Sequence, residues 1–260
     1  DRYKSITITD YLVSKLKPKT NHLRYLSSLF LTFFIIIYVS AQIDATGSAF
    51  EAFMDWNYFT GAVLGYFIVL AYVVFGGFIA VPWSDLIQGS LMFLALVILP
   101  VIGYYSFNGE FQILEGLNKI DRGLISPWGS GGFNLINLST IVGYLCIGLA
   151  FLGSPQIFVR FMSIKNEQEI NKGRWVAVLF TFITDSCAVL IGMMARYFFT
   201  ENGVEVESIL GNNGQNSLIM MVENLLPLLF IGFYMAVVLA AIMSTVDSLL
   251  VLASSAFARD

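Results

Sequence analysis

The chain has 260 residues, of which 57% are hydrophobic and only 12% are charged, and its formal net charge is -4. Soluble domains carry about 25% charged residues, so this composition excludes an ordinary soluble domain. No basic patch with interleaved aromatic residues occurs, so nucleic acid is not an expected partner. The two cysteines lie far apart in apolar runs and predict no disulfide.

After a polar leader, the chain carries six apolar segments that are long enough to cross a bilayer, which takes about 20 residues. They are Tyr25–Ile43, Tyr58–Ala80, Leu86–Phe107, Leu138–Phe161, Trp175–Phe199 and Leu226–Leu252. None alternates like a barrel strand, and backbone in lipid must satisfy its own hydrogen bonds, so each is predicted to be a helix. We therefore expect an all-α membrane protein with one transmembrane domain over 1–260, which contacts the lipid bilayer.

The positive residues are unevenly distributed between the two sides of these spans. Of the 14 Lys and Arg, all but Lys119, Arg122 and Arg196 fall on one side. Cytoplasmic loops are enriched in Lys and Arg, so we expect both ends of the chain in the cytoplasm and a multi-pass protein of the plasma (inner) membrane. Neither end carries a signal segment or a polar tail, so we expect further helices of the same protein on both sides.

Three acids lie within these spans or at their edges. A charged side chain at the bilayer centre costs roughly 2.5–3.5 kcal/mol and usually faces a cavity in which it has a role. Asp85 is either a functional acid or an interfacial residue at a helix start. Asp185 lies near the bilayer centre, where it could contact a substrate charge, hold a proton or bind only its neighbours Thr184 and Ser186. The third acid, Asp247, lies within the sixth span, beside several hydroxyl residues.

One face of the sixth span carries four residues at helical spacing: Ala241, Ser244, Asp247 and Ser248. Thr245 lies beside this face. Hydroxyls in lipid often bond to carbonyls of their own helix, but three hydroxyls and a carboxylate on one turn favour a hard-cation site. Asp85 is predicted at the same depth as Asp247. If the two spans touch, carboxylate and hydroxyl oxygens converge there.

Glycines and a proline mark two further features of the spans. Gly76 and Gly77 in the second span predict close packing. In the fourth span, Gly153, Ser154 and Pro155 follow one another, and a proline removes one helical hydrogen bond. A simple kink is one interpretation. The three residues together favour a broken helix, which in secondary transporters exposes carbonyls and helix ends to ions and substrates.

Three segments resemble the sodium:solute symporter family, particularly its sodium/proline symporter branch: GGFIAVPWSDLIQGSLMFLALVILPVI, LGSPQIFVRFMS and AAIMSTVDSLLVLASSAFARD. The resemblance implies a LeuT-type fold, in which ten core helices form two inverted five-helix repeats. By their order, the six spans are expected to be the third to eighth core helices. The first core helix, which in that family helps to build both the ion site and the substrate site, is expected upstream.

The resemblance also implies roles for single residues. The carbonyl of Ala241 and the hydroxyls of Ser244 and Thr245 match the main sodium site of the family. Asp85 matches an acid that members use in sodium coupling. A possible second sodium site then lies between Asp85 and Ser248, the hydroxyl one turn further along.

Two groups of positions depart from the family pattern. Asp247 adds a carboxylate to the second site, where other members have a small or polar residue. Phe151 and Pro155 match substrate-lining positions of the proline branch, and Ser154 lies between them and is included with them. That branch has a tryptophan where this chain has Ile147, and a tyrosine where it has Phe151. Asp185 completes the candidate substrate residues.

The function expected from this pattern is sodium-driven symport of a small organic solute by alternating access, with Na⁺ as the coupling ion and no cofactor. Amino acids such as proline come first, ahead of other small carboxylates and sugars. An intramembrane aspartyl protease needs two carboxylates that share a proton, and its Gly-x-Gly-Asp segment is not matched here. The single histidine, His22, lies in the polar leader, which disfavours a serine protease. A channel is expected to show a filter loop or a ring of charges, and this sequence has neither.

Overall fold

A computed structural model describes residues 5, 7–106, 113–129, 131–151, 153–164, 166–201, 206–211 and 214–259. Within these ranges the chain is helical, and no β-strand occurs in them. The helices are α1 Ile8–Leu16, α2 His22–Met54, α3 Tyr58–Ser106, α4 Ile113–Ile120, α5 Leu135–Phe151, α6 Pro155–Met162, α7 Glu167–Glu201, α8 Val206–Leu210, α9 Ser217–Leu225 and α10 Leu228–Arg259. A 3-10 turn, Arg122–Ile125, follows α4.

Five helical segments of the described chain are long and apolar enough to cross a membrane: His22–Met54, Tyr58–Ser106, Leu135–Met162, Glu167–Thr200 and Leu228–Ala258. The expectation of an all-α membrane protein is confirmed. Five such segments appear where six were predicted, because the second and third predicted spans lie together in α3. Phe107, the last residue of the third predicted span, lies outside the described residues.

The helix α3 is interrupted at one glycine. It has 49 residues, and at 1.5 Å per residue a straight helix of that length extends about 70 Å, more than twice the hydrocarbon thickness. Gly77 adopts φ 56 and ψ -156, which is not helical, and only glycine takes such a conformation readily. The predicted connection at 81–85 is helical, so that boundary was wrong. A side-chain carbon built at Gly77 meets no atom within 4 Å, so this glycine serves the backbone turn and not close packing.

The fourth predicted span is broken where its sequence indicated. The helix α5 ends at Phe151, and α6 begins at Pro155. Between them Ser154 is extended, with φ -62 and ψ 124. Proline suits the first position of a helix because its missing N–H has no partner there anyway. The prediction of a broken helix at Ser154–Pro155 is confirmed, and Leu152 lies outside the described residues.

The chain divides into two compact units. The first contains Asp1–Ser90, Leu152–Gly173 and Met235–Asp260, and the second contains Leu91–Phe151 and Arg174–Tyr234. The assignment of 1–260 to one transmembrane domain stays a prediction.

The core of the first unit joins α2, α3 and α10. Its buried cluster consists of Ile35, Val39, Val69, Val246, Leu249 and Leu252. At one end of this packing, Ser28 Oγ in α2 donates to the carbonyl oxygen of Ala256 in α10 at 3.3 Å. Because Val246 and Leu249 flank Asp247, this core fixes the rotation of α10 and holds that carboxylate against α3.

The second unit packs closely at a glycine. A methyl group at Gly103 in α3 would overlap the side chain of Met194 in α7. In the same unit, the hydroxyl of Tyr234 donates to the carbonyl oxygen of Ala95 at 2.7 Å and so satisfies its polar tip inside an apolar core.

Candidate functional site

Asp247 is the most deeply buried polar residue among the described residues of the first unit, with 0% of the residue exposed. Its Oδ2 accepts from the hydroxyl of Tyr72 at 2.9 Å and from Ser84 Oγ at 3.1 Å, both on α3. Its Oδ1 lies 3.2 Å from Ser248 Oγ on its own helix. A buried charge needs such donors, so Asp247 ties α10 to α3.

The three hydroxyls do not contribute equally to Asp247. Ser84 and Ser248 each lie close to a carbonyl oxygen of their own helix as well, at 2.9 and 3.0 Å. A hydroxyl carries one proton, so each serine divides its donation between a carbonyl and the carboxylate. The hydroxyl of Tyr72 lies 3.5 Å from its alternative acceptor, the carbonyl oxygen of Met243, which is a weak contact. Tyr72 is therefore the main donor to Asp247.

An arginine joins Asp85 to Ser248. Nη2 of Arg160, in α6, lies 2.6 Å from Asp85 Oδ2 and 2.6 Å from Ser248 Oγ. The side chain of Asp85 is 19% exposed and that of Arg160 is 48% exposed. The second carboxylate oxygen, Asp85 Oδ1, is buried and has no hydrogen-bond partner in the described chain. The predicted convergence of Asp85 with the hydroxyl face of α10 is present, with a guanidinium between them.

These contacts form one connected polar cluster. Ser248 contacts both Asp247 and Arg160, so contacts run from Asp247 through Ser248 and Arg160 to Asp85. The cluster connects α3, α6 and α10. Two carboxyl groups at close range repel one another unless a cation lies near them, and the guanidinium of Arg160 supplies that cation.

The three residues of the predicted main sodium site lie around one carbonyl. Ser244 Oγ donates to the carbonyl oxygen of Ala241 at 2.9 Å, and Thr245 Oγ1 donates to the same oxygen at 3.3 Å. All three are partly buried. The hydroxyl protons point at the carbonyl, which is a common helical arrangement. Rotation of both hydroxyls turns their lone pairs outward, and the set then offers three neutral oxygens of the kind that hard cations bind.

The predicted substrate residues fall in both units. Ile147 and Phe151 belong to α5 in the second unit, and both are exposed. Ser154 and Pro155 begin α6 in the first unit and border a cavity of about 440 Å³ whose other walls include Ile35 of α2. Ser154 and Pro155 are consecutive residues at the start of α6, and Ile147 and Phe151 lie one helical turn apart on α5.

Asp185, in α7 of the second unit, is exposed. The hydroxyls beside it do not contact it: Thr184 Oγ1 donates to the carbonyl of Phe180 at 2.9 Å, and Ser186 Oγ donates to that of Phe182 at 2.7 Å. In this structure both neighbouring hydroxyls donate to backbone carbonyls of α7, and the role of Asp185 stays a prediction.

The chain matches the sodium:solute symporter family over residues 2–260. It belongs to this family. Similar curated proteins are the high-affinity proline transporter PutP of Bacillus subtilis, 29% identical over 98% of this chain and 52% of the relative, and the sodium/proline symporter 2 of Staphylococcus saprophyticus, 30% identical over 98% of this chain and 48% of the relative. The osmoregulated proline transporter OpuE of Bacillus subtilis is 29% identical over 98% of this chain and 50% of the relative.

This symporter chain thus spans about half the length of the curated relatives it matches. No solved structure matches it. Membership of the sodium:solute symporter family confirms the resemblance seen in the sequence. It also identifies the chain as part of a transporter and not of an intramembrane protease.

Sequence reasoning missed three residues of the polar cluster in this symporter chain: Tyr72, Ser84 and Arg160. Ser84 directly precedes Asp85, so its position beside an intramembrane acid was a usable signal. Arg160 was counted among the positive residues that orient the chain, although it lies inside the fourth predicted span, where a cation calls for a partner. Tyr72 lies in an apolar run and carries no sequence signal that separates it from packing residues.

Proposed function

We propose that this chain forms part of a sodium-coupled symporter that imports a small organic solute by alternating access. The observation that carries the proposal is the match to the sodium:solute symporter family along residues 2–260. Relatives that are named proline transporters make an amino acid such as proline the first candidate substrate. Since sodium and solute stabilise the same conformation, each raises the affinity for the other.

The main sodium site of the proposal is the turn of α10 that contains Ala241, Ser244 and Thr245. Its two hydroxyl oxygens lie 2.9 and 3.3 Å from the carbonyl oxygen of Ala241. They replace part of the hydration shell of sodium when the hydroxyls rotate away from the carbonyl. Three neutral ligands leave the charge of the ion uncompensated and its coordination incomplete, so further oxygen ligands come from other helices of the transporter.

The second sodium site of the proposal lies at Asp85 and Ser248. Both oxygens already bind a positively charged nitrogen at 2.6 Å, so their arrangement suits a cation. Asp247 supports this site from behind because Ser248 contacts it directly. In this role Asp247 fixes the position of Ser248 through its Oδ1 and adds negative potential, while its Oδ2 accepts from the two hydroxyls of α3.

The residues proposed to contact the solute lie on α5 in the second unit and at the start of α6 in the first unit. Ile147 and Phe151 are apolar where the proline branch carries tryptophan and tyrosine, so we propose apolar contacts at these two positions. Ser154 and Pro155, at the start of α6, supply a hydroxyl and a backbone without a helical partner. Asp185 remains a candidate for a charged group of the solute or for a proton.

The proposal includes a LeuT-type fold with the chain ends in the cytoplasm. The interruption at Gly77 supports two spans within α3, because a single straight span of 49 residues is far too long for a bilayer. Counting α3 as two spans restores six, which is an even number and agrees with both ends on the side rich in Lys and Arg. A multi-pass location in the bacterial plasma membrane follows.

The experiment that tests the function is uptake of radiolabelled solutes by proteoliposomes containing the protein that carries this chain. Amino acids, sugars and vitamins are screened with an inward sodium gradient and with a potassium gradient of the same size. We expect accumulation of one class, with proline among the first to test, only under the sodium gradient. Equal uptake under both gradients, or conductance far above transporter turnover, contradicts symport.

A further inference from the structure

The guanidinium group of Arg160 lies where the second sodium ion is proposed to bind. Arg160 Nη2 is 2.6 Å from both Asp85 Oδ2 and Ser248 Oγ, and these are the oxygens assigned to that ion. An arginine donates through its N–H groups and keeps its charge at every physiological pH. Arg160 and a sodium ion therefore make mutually exclusive use of the same carboxylate oxygen and the same hydroxyl.

The side chain of Arg160 can move into an adjoining cavity, whereas the carboxylate of Asp85 cannot. A cavity of about 230 Å³ borders Arg160 and Ser248 and is walled by α3, α6 and α10. About half of the Arg160 side chain is exposed, and its long stem can turn into this space. Asp85 stays in place with its Oδ1 buried and unpartnered. A buried carboxylate without a cation is costly, so the departing guanidinium must be replaced by another cation.

The connection between α3 and α10 does not depend on Arg160. Asp247 receives its hydroxyl donors from Tyr72 and Ser84, and the apolar cluster of α2, α3 and α10 lies behind it. Removing the charge of Arg160 therefore leaves the packing of these helices intact. The pair with Asp85 is the contact that changes.

We propose that Arg160 is a tethered competitor of sodium at Asp85 and Ser248. Sodium binding displaces the guanidinium into the adjoining cavity, and return of the guanidinium expels the ion. Arg160 thus lowers sodium affinity at this site and speeds sodium release. It acts as a positioning residue on the binding site and contacts no solute. The inference rests on the proposed function, because it needs Asp85 and Ser248 to bind sodium.

The first test measures binding of ²²Na⁺ to the purified full-length protein and sodium-activated uptake in proteoliposomes. Arg160→Gln removes the competitor, so the sodium concentration at half-saturation falls roughly threefold or more, as for the loss of one partly exposed ion-pair contact. Uptake at saturating sodium slows because release slows. In an Asp85→Asn background, Arg160→Gln has no further effect on sodium affinity, because the contested charge is gone.

The matched control is a second arginine with the same kind of contact elsewhere. Arg24 Nη2 lies 2.8 Å from Asp10 Oδ1, and its side chain is partly exposed like that of Arg160. Arg24→Gln leaves sodium binding unchanged. If Arg160→Gln weakens sodium binding or leaves it unchanged while the Arg24→Gln control behaves like wild type, Arg160 is only a structural partner of Asp85 and the proposal is overturned.

A second measurement needs no variant and so does not depend on its folding. Phenylglyoxal modifies free guanidinium groups, and mass spectrometry locates the adducts in the wild-type protein. Sodium accelerates modification of Arg160 and not of Arg24, compared with choline at the same ionic strength. Sodium-independent modification of Arg160, in a wild type that binds ²²Na⁺, overturns the inference alone. A wild type that binds no sodium and shows no sodium-driven uptake overturns both the inference and the proposed function.

Discussion

Two helical turns in this molecule share one hydrogen-bond pattern in different surroundings. In α10, Ser244 and Thr245 donate to the carbonyl of Ala241 at 2.9 and 3.3 Å. In α5, Ser139 and Thr140 donate to one carbonyl, that of Ile136, at 2.7 and 3.0 Å. The α10 turn is partly buried, and Asp247 follows it within one turn of helix. The α5 turn is exposed and has no acid nearby in its helix.

The comparison teaches that hydroxyls bonded to their own helix do not by themselves indicate an ion site. Serine and threonine make such bonds wherever a helix offers a carbonyl three or four residues earlier. What distinguishes the α10 turn in the structure is its partial burial and its place beside the polar cluster. The same substitutions made in both turns therefore separate a role in sodium binding from the local hydrogen-bond geometry.

The largest effect is expected from removing both hydroxyls of the α10 turn. Ser244→Ala with Thr245→Ala leaves too few oxygen ligands, so the sodium concentration that half-activates uptake should rise beyond the measurable range. Each deletion costs about 0.5–1.5 kcal/mol of fold stability at most. The matched control, Ser139→Ala with Thr140→Ala, removes the same two groups from α5 and should leave sodium activation unchanged. Equal loss of sodium affinity in both double variants would show that the α10 turn has no special role.

A smaller effect should separate the two acids of the polar cluster. Asp85→Asn removes the charge that the second sodium needs, so apparent sodium affinity should fall roughly tenfold, which corresponds to about 1.4 kcal/mol. Asp247→Asn should change sodium affinity less and lower the melting temperature more. In that variant one carboxylate oxygen becomes an N–H₂ group, so either the α3 hydroxyls or Ser248 face a donor in place of an acceptor, and a mismatched buried polar group costs about 1–3 kcal/mol.

The same two variants test whether the acids share a proton. We expect sodium binding to release a proton from the Asp85/Asp247 pair at mildly acidic pH, because the guanidinium of Arg160 stays nearby and the sodium ion adds a second positive charge, which disfavours a protonated carboxyl group. Sodium activation of uptake, measured across pH 5 to 8, should then shift in both variants. Identical sodium affinity and pH dependence in wild type and both variants would remove the pair from coupling and leave Ala241, Ser244 and Thr245 as the site.

The smallest effect on sodium is expected at the break between α5 and α6. Ser154→Trp places a bulky ring where α6 begins, so it should alter solute affinity or selectivity by several-fold and sodium affinity hardly at all. Inhibition of uptake by unlabelled solutes gives both quantities. Ser139→Trp, at the exposed turn of α5, is the size-matched control. Unchanged solute affinity and selectivity in Ser154→Trp would reduce the break to a packing feature.

Helix positions and local breaks were predictable from the sequence because they depend on neighbouring residues. Long apolar runs mark spans, and Gly153, Ser154 and Pro155 weaken the helix at their own position. The oxygen face of α10 was predictable for the same reason, since it is a spacing within one helix. The break in α3 was misplaced because the hydropathy boundary between the two predicted spans fell at 81–85, whereas within α3 the positive φ is at Gly77.

Contacts between helices were not predictable in the same way. Arg160 lies 75 residues from Asp85 and 88 from Ser248 in the chain. Periodicity describes which face of a helix is polar, but it does not say which neighbour the face meets. The predicted convergence of Asp85 with Asp247 and its neighbouring hydroxyls agrees with the contacts that join them through Ser248 and Arg160. The identity of the cation between Asp85 and Ser248 required the packed arrangement of α3, α6 and α10.

The turn at Gly77 has a stereochemical consequence. Its φ of 56 and ψ of -156 are the mirror image of a polyproline II conformation, which is relaxed for a residue of opposite handedness. Space is not the constraint, because a side-chain carbon there meets no neighbour. L-alanine at this position should cost about 1–3 kcal/mol through the backbone alone. D-alanine, introduced by chemical ligation, should fit without strain, so the chirality of one residue and not its size determines how α3 bends.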